Sequence, residues 1–163
     1  AYIKHIREVN YQGAFYMRTV RESNKARVAA KLAELAGCSA DELVVTRNTT
    51  ESLDTIIAGF PWQEGDEAVM AEQDYFSMLT MFQQVSKRFS IVCHRVNVPL
   101  HPQGDDEIVS IYEKAITPKT KLLMVCHMVN ITGQILPIKK ICDMAHSKGV
   151  QVLVDGAHAF AHI

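Results

Sequence analysis

The sequence predicts an α/β protein with a mainly parallel, doubly wound sheet arranged in three layers. Short apolar runs of strand length alternate along the chain with segments whose apolar residues recur at helical spacing. Some runs, such as residues 121–126, are almost continuously apolar, which is typical of strands covered by helices on both faces. Repeated strand–helix–strand units of this kind build parallel sheets with right-handed crossovers.

Each predicted element has its own local signal. A helix over residues 16–36 is indicated by Val28, Leu32 and Leu35, which lie on one helical face with charged residues between them. Gly37 is a natural end for that helix. The same periodicities predict strands at 43–46, 67–71, 90–96, 121–126 and 150–155, and helices at 49–58, 75–87, 105–116 and from Pro137 to Gly149.

Two of the predicted helix starts carry specific signals. Asp105 and Asp106 are suited to cap the helix that follows them, because short acidic side chains accept hydrogen bonds from the free N–H groups of a first turn. Pro137 suits the first position of the last helix, where its missing N–H costs nothing. In such sheets, ligands bind beyond the carboxyl ends of the strands, so the residues just after each strand are the candidates for function.

The composition is that of an ordinary globular domain. With 163 residues, 48% of them hydrophobic and 21% charged, one compact domain is expected. A net charge of -1 gives no electrostatic reason to expect nucleic acid or a membrane surface as a partner. No apolar run approaches the roughly 20 residues of a membrane helix. The four cysteines are widely spaced without a C-x-x-C motif, which predicts buried, reduced thiols in a cytoplasmic protein.

The run Thr46–Ser52 joins a predicted strand to a predicted helix. A helix start presents unpaired backbone N–H groups and the positive end of the helix dipole, and Thr49 and Thr50 add two hydroxyl donors. This combination suits a phosphate group. Neither a Walker loop nor a G-x-G-x-x-G motif occurs in the chain. The alternative interpretation is a threonine N-cap completed by Glu51 or Ser52.

Three further strand ends carry polar or aromatic side chains. Tyr75 could stack on a planar ligand or belong to the core or a subunit interface. Asn130 could bind a ligand or satisfy the backbone of its own loop. Asp155 ends the last strand, where a buried carboxylate needs a partner such as a protonated ring nitrogen. Asp155 could also cap its own turn, or bind a metal with His158 and His162, although no second cluster with metal-ligand spacing accompanies them.

Together these motifs resemble the class V aminotransferase-like branch of pyridoxal 5'-phosphate (PLP) enzymes, which includes cysteine desulfurases and isopenicillin-N-epimerase-like proteins. The resemblance covers roughly residues 27–161. It rests on four stretches, Val45–Ser52, Glu72–Tyr75, Cys126–Gly133 and Val154–Ala159. It implies the three-layer large domain of PLP-dependent transferases and a PLP cofactor.

The resemblance also implies which residues bind the cofactor. Thr49 and Thr50 correspond to the cradle for its phosphate. Tyr75 corresponds to the residue that stacks on the pyridine ring, and Asn130 to the residue that hydrogen-bonds the 3'-oxygen.

Asp155 and His158 are the two residues that the resemblance implies in both cofactor binding and catalysis. Asp155 resembles the aspartate that pairs with the pyridinium nitrogen and keeps it protonated, so that the ring withdraws electrons. His158 corresponds to a position that contacts the face of the cofactor. Desulfurases carry histidine at the position of Tyr75 and usually glutamine at that of His158, so these two residues favour the epimerase-like side.

The Schiff-base lysine of this family follows the Asp-Gly-Ala strand by a few dozen residues, and no lysine of this chain matches it. We therefore expect residues 1–163 to be a single domain that forms the N-terminal part of a PLP-binding large domain with an incomplete sheet. The C-terminal small domain is expected to be absent, and the fragment to be inactive alone. The resemblance further implies a homodimer.

Two functional hypotheses from different classes follow. The first is a PLP-dependent enzyme that acts on a small-molecule amino acid through an aldimine and a Cα carbanion, as an epimerase, aminotransferase, lyase or cysteine desulfurase. The second is a non-catalytic α/β module that binds a phosphorylated ligand or a protein partner. Binding of PLP by the full-length protein discriminates between them.

Overall fold

The computed structural model describes residues 1–163, which divide into two compact units, 1–47 and 48–163. The predicted helix over residues 16–36 is confirmed in extent, although its first five residues are π-helical. The first unit consists of α1 (Tyr2–Tyr11), α2 (Gly13–Phe15), a π-helical turn (Tyr16–Val20), α3 (Arg21–Ala36) and a 3₁₀ turn (Ala40–Glu42).

Helix α3 ends at Gly37, as the sequence predicts. Gly37 has φ 70° and ψ 31°, a left-handed conformation that favours glycine, and its N–H donates to the carbonyl of Ala33. The left-handed conformation of Gly37 thus supplies a hydrogen-bond donor for one of the last carbonyls of the helix.

The predicted strand over residues 43–46 is wrong. Leu43 has extended dihedrals, φ -107° and ψ 132°, but the segment pairs with no strand. Val44 is 83% exposed. The β-branched residues give this run a strand propensity, whereas a strand also requires a neighbouring strand that pairs with its backbone groups.

The second unit alternates helices and strands. The predicted strand over residues 67–71 is confirmed to the residue, and every other predicted boundary of this unit is confirmed to within two positions. Its elements are α4 (Thr49–Gly59), β1 (Glu67–Ala71), α5 (Phe76–Phe89), β2 (Val92–Val96), α6 (Asp105–Ala115), β3 (Thr120–Cys126), α7 (Ile138–Ser147) and β4 (Gln151–Asp155).

The sheet has four strands, one fewer than predicted, and all neighbouring strands are parallel. Their order is β2-β1-β3-β4. The chain therefore moves from β1 outward to β2, and then returns past β1 to β3 and β4. Connections diverge between β1 and β3, and a crevice at the carboxyl ends of such strands is where doubly wound sheets bind ligands.

Helices cover both faces of the sheet, which confirms the three-layer prediction. Because successive side chains of a strand point to opposite faces, Ala68 and Met70 of β1 belong to one core cluster, and Val69 and Ala71 to the other. The first cluster includes the buried side chains of α4 and α5, namely Leu53, Ile57, Met78, Leu79, Phe82 and Val85. The second includes those of α6 and α7, namely Ile108, Tyr112, Ile141 and Ala145.

The predicted acidic cap of α6 is wrong. Gly104 occupies the N-cap position, and no side chain caps the helix there. Asp105 and Asp106 lie inside the first turn, where the helix dipole favours negative charge. Both carboxylates also approach the Lys140 ammonium, at 3.2 and 3.1 Å.

The four cysteines are all unpaired thiols. Only Cys126 is buried, whereas Cys38 is exposed, so the prediction of buried thiols is wrong for Cys38. Cys38 follows the end of α3 and lies outside the core elements. None of the helices combines the length and the apolar character needed to cross a membrane.

The hydroxyl of Tyr112 in α6 is fully buried and has no hydrogen-bond partner. We expect Tyr112→Phe to raise the free energy of unfolding by about 1 kcal/mol, because it removes a buried donor that no acceptor satisfies. Urea unfolding of both proteins would measure the difference. Tyr11→Phe, at a position that is 86% exposed, is the control. A loss of stability in Tyr112→Phe would contradict the expectation.

Candidate functional site

One pocket of about 260 Å³ lies within the second unit, at the carboxyl edge of the sheet and beside the start of α4. All six site residues predicted from the sequence line it, although they come from four separate segments of the chain. The lining consists of Asn48, Thr49, Thr50, Leu53, Tyr75, Cys126, Asn130, Asp155, Ala157 and His158.

The start of α4 forms one side of the pocket. The N-cap is Asn48, whose Oδ1 accepts a hydrogen bond from the N–H of Glu51 at 2.9 Å. The alternative of a threonine cap is therefore wrong, and Thr49 and Thr50 are the first two residues of the helix itself. Their N–H groups have no acceptor within the helix. These donors, the two hydroxyls and the positive dipole end suit a phosphate.

Asp155 lies opposite, as the last residue of β4, and is only 5% exposed. Its Oδ1 accepts a hydrogen bond from the N–H of Ala157 at 3.0 Å, and its backbone carbonyl accepts one from the N–H of His127 at 2.9 Å. Asp155 therefore does cap the turn that follows it, as one sequence interpretation held. Because a carboxylate has several acceptor sites, Asp155 can also accept a hydrogen bond from a ligand in the pocket.

His158 is exposed and lies in the turn after β4. The turn is closed by the N–H groups of Ala159 and Phe160, which both donate to the carbonyl of Gly156, at 3.0 and 3.1 Å. This places the imidazole in the pocket lining together with Asp155. Nowhere in residues 1–163 do three or more His, Cys, Asp or Glu side chains group in a way that could hold a metal ion.

Asn130 follows β3 in a tight loop that its backbone closes. The N–H of Gly133 donates to the carbonyl of Val129 at 2.7 Å, and the N–H of Val129 donates to the carbonyl of Gln134 at 2.9 Å. Gly133 has φ 72°, which a residue with a side chain rarely adopts. Because backbone bonds close the loop, the exposed side chain of Asn130 is available to the pocket.

Tyr75 is the N-cap residue of α5 and is 44% exposed, so its ring is not a core side chain. Its carbonyl accepts the N–H of Met78 at 2.9 Å, which anchors the first turn of α5 beside the pocket. A half-exposed aromatic ring in this position can stack on a planar ligand.

Asp74 is a residue to which the sequence analysis assigned no role. It is 4% exposed and accepts two backbone hydrogen bonds, from Ala71 at 2.8 Å and from Cys126 at 3.2 Å. Burial, with a smaller contribution from the nearby charge of Asp155, raises the pKa of its carboxyl to about 7 against the effect of these two donors. The sequence signal that could have identified Asp74 is the one used for Asp155, namely a carboxylate that follows a buried strand.

Cys126 also lines the pocket without having been predicted there. Its thiol donates to the carbonyl of Met128 at 2.9 Å. Burial, together with the charges of Asp155 and Asp74, raises the pKa of the thiol to about 12. The thiol is therefore neutral at ordinary pH, which is unsuitable for a nucleophile.

The fold and the pocket define a doubly wound α/β protein whose site suits a planar, phosphorylated ligand with a basic ring nitrogen. The family model described as Aminotransferase class-V matches residues 6–163. The chain belongs to this family, so the resemblance read from the sequence is confirmed.

Two curated relatives illustrate the range of the family. The chain is 34% identical over 128 residues to a probable cysteine desulfurase of Halalkalibacterium halodurans, a match that covers 77% of this chain and 31% of the relative. It is 30% identical over 132 residues to isopenicillin N epimerase of Amycolatopsis lactamdurans, covering 79% of this chain and 33% of that protein. The chain thus spans about a third of the length of these relatives.

Solved structures agree with this assignment. A mutant of C-DES with glycine covalently linked to its PLP cofactor superposes with a TM-score of 0.80 at 26% identity, over 93% of this chain and 41% of that one. A complex of the cystine C-S lyase C-DES with cysteine persulfide gives a TM-score of 0.75 at 29% identity, over 83% and 36%. The predicted three-layer fold of a PLP-dependent transferase is confirmed.

Proposed function

We propose that this chain forms the PLP-binding part of an enzyme that acts on an amino acid. The observation that carries the proposal is the pocket itself, which brings together six side chains from four strand ends and helix starts. PLP needs donors for a phosphate, a surface for its ring, a partner for its 3'-oxygen and an anion for its ring nitrogen. The pocket offers each of these.

The phosphate is held by Thr49 and Thr50 at the start of α4, where hydroxyl and backbone donors coincide with the positive dipole end. Tyr75 and His158, which line the pocket, would contact the ring. Asn130 bonds the 3'-oxygen, since its side chain is not needed to close its own loop.

Asp155 holds the ring nitrogen in its protonated form. It is suited to this because it is nearly buried, where an ion pair is stronger than in water, and because a carboxylate that accepts the N–H of Ala157 keeps further acceptor sites. When bound, PLP supplies an electron sink for charge that develops at the Cα of an amino acid. The chain contributes position and a fixed negative charge.

The lining of the pocket includes no lysine. The chain spans about a third of its curated relatives. We propose that the lysine that forms the Schiff base, and a small C-terminal domain, belong to a longer polypeptide of which residues 1–163 are the N-terminal part of the large domain. We also propose that the complete protein is a homodimer, as the family resemblance implies.

Among the reactions of the class, we propose cysteine desulfurisation as the first to test. Relatives and solved structures named cysteine desulfurase support it, whereas Tyr75 and His158 favour the epimerase side. The discriminating assay incubates the full-length, PLP-loaded protein with L-cysteine and a thiol reductant, which reduces the extruded sulfur, and measures the release of both L-alanine and sulfide. A parallel incubation with single amino acid enantiomers measures inversion by chiral chromatography. Inversion without sulfide release would support the epimerase-like reaction instead.

Binding of the cofactor is tested by equilibrium dialysis of the protein against PLP and against pyridoxal, which lacks the phosphate. We expect Thr50→Val to weaken PLP binding by about tenfold or more, because a charge-assisted hydrogen bond to phosphate is lost. The affinity for pyridoxal should stay the same. Thr55→Val is a matched control on the same helix, since the Thr55 hydroxyl donates to the carbonyl of Glu51 at 2.7 Å and does not line the pocket.

Failure of the wild-type protein to bind PLP would refute the proposed function. Equal weakening of PLP and pyridoxal binding in Thr50→Val would refute the assignment of the phosphate to α4.

A further inference from the structure

Asp74 joins the two strands at which the connections of the sheet diverge. Oδ2 accepts the N–H of Ala71, the last residue of β1, at 2.8 Å. Oδ1 accepts the N–H of Cys126, the last residue of β3, at 3.2 Å. One side chain thus joins the carboxyl ends of β1 and β3, and it is almost completely buried, with 4% of its surface exposed.

The same carboxylate is connected to the third strand of the site. Cys126 pairs in register with Asp155 across β3 and β4, and the next residue, His127, donates its N–H to the carbonyl of Asp155. Asp74 is also adjacent in sequence to Tyr75. Asp74 is therefore connected through the backbone to the side chain proposed to stack on the ring, and through Cys126 to the strand that carries the side chain proposed to pair with the ring nitrogen.

The surroundings of Asp74 contain no compensating cation. The titratable groups that face it are Asp155 from β4, the Cys126 thiol from β3 and the Tyr112 hydroxyl from α6. Two backbone donors stabilise the ionised form, whereas burial and the neighbouring Asp155 charge oppose it. A cation bound at Asp155 offsets the negative charge of Asp155 and therefore favours the ionised form of Asp74.

We propose that Asp74 is a positioning residue that ties β1 to β3 and places a second carboxylate behind Asp155, so that binding a protonated ring nitrogen at Asp155 ionises Asp74. The inference rests on the proposed function, because the cation is the PLP ring. Its consequence is that Asp74 gives up its proton to solvent when PLP binds with its ring nitrogen already protonated. A ligand that favours the ionised form of a carboxyl binds more tightly as the pH rises through the range in which the free protein still holds the proton.

The test measures the PLP dissociation constant of wild-type protein and Asp74→Asn by equilibrium dialysis at about pH 6 and about pH 8. We expect Asp74→Asn to bind about tenfold more weakly at the higher pH and the difference to shrink at the lower pH. Asp143→Asn is the control, since this exposed carboxylate of α7 pairs only with Lys139. A purely structural role would weaken binding equally at both pH values, and that result would overturn the proposal.

A second measurement needs no variant. In wild-type protein, ¹³C NMR of the aspartate carboxyl carbons should show Asp74 titrating near neutrality without PLP and at lower pH with PLP. A titration that PLP leaves unchanged would overturn the inference while leaving the proposed function intact. Failure of the wild type to bind PLP would overturn both, so the two failures are distinguishable.

Discussion

Replacing Asp155 with asparagine is expected to lower kcat/KM of the full-length, PLP-loaded enzyme by about 10²-fold or more. The amide keeps the shape of the side chain and can still accept the N–H of Ala157, which now binds Oδ1 at 3.0 Å. It carries no negative charge and cannot keep a ring nitrogen protonated in a site where Asp155 is only 5% exposed. Electron withdrawal from the amino acid Cα is therefore weakened, with the fold retained.

The measurement is the steady-state rate with the amino acid that the full-length protein turns over, together with the thermal unfolding midpoint. Asp143→Asn makes the same chemical change at an exposed ion pair with Lys139 and should leave kcat/KM unchanged. An Asp155→Asn enzyme with wild-type kcat/KM would remove Asp155 from its proposed role. If Asp155→Asn lowered the thermal unfolding midpoint together with kcat/KM, the result would indicate a structural role for Asp155.

Truncating Phe82 to alanine is expected to lower the free energy of unfolding by about 3–5 kcal/mol. Phe82 lies in α5, is fully buried and belongs to the core cluster between the sheet and the helices α4 and α5. Its removal costs the transfer free energy of the ring and leaves a cavity that the rigid strands beneath it cannot close.

Phe76→Ala on the same helix is the matched control, because Phe76 is 77% exposed. Its effect should stay within about 0.5 kcal/mol, the range usual for surface substitutions. Urea unfolding of the three proteins gives the comparison. A loss of less than about 1 kcal/mol in Phe82→Ala would show that the cluster repacks around the missing ring.

Much of the second unit could be predicted from local patterns. The strand Glu67–Ala71 and the start of α4 at Thr49 follow directly from apolar runs and from the polar residues that bound them. Four of the candidate site residues could be selected because side chains just after buried strands meet at one sheet edge, namely Tyr75, Asn130, Asp155 and His158. Thr49 and Thr50 could be selected as polar residues at a predicted helix start. The family resemblance then gave each of them a role.

The wrong predictions share a physical cause. Each concerns a feature that depends on a partner distant in sequence, or on which of several neighbouring residues takes the cap position. Residues 43–46 have strand propensity, but no strand pairs with them. Asn48 caps α4 where threonines were equally good candidates, and Gly104 takes the position expected for an aspartate before α6. Propensity describes the preference of one residue, whereas pairing and capping depend on the geometry of several.

By itself, the sequence determined the fold class, the order of the elements from α4 onward and six of the side chains that line the pocket, because periodicity and strand-end chemistry are local properties. Only the tertiary structure decided the four-strand order and the hydrogen bonds by which Asp74 joins β1 to β3. The carboxylate of Asp74 accepts a hydrogen bond from the N–H of Cys126, which lies 52 positions later in the sequence. A contact between residues so far apart in sequence forms only when the fold brings two strands side by side.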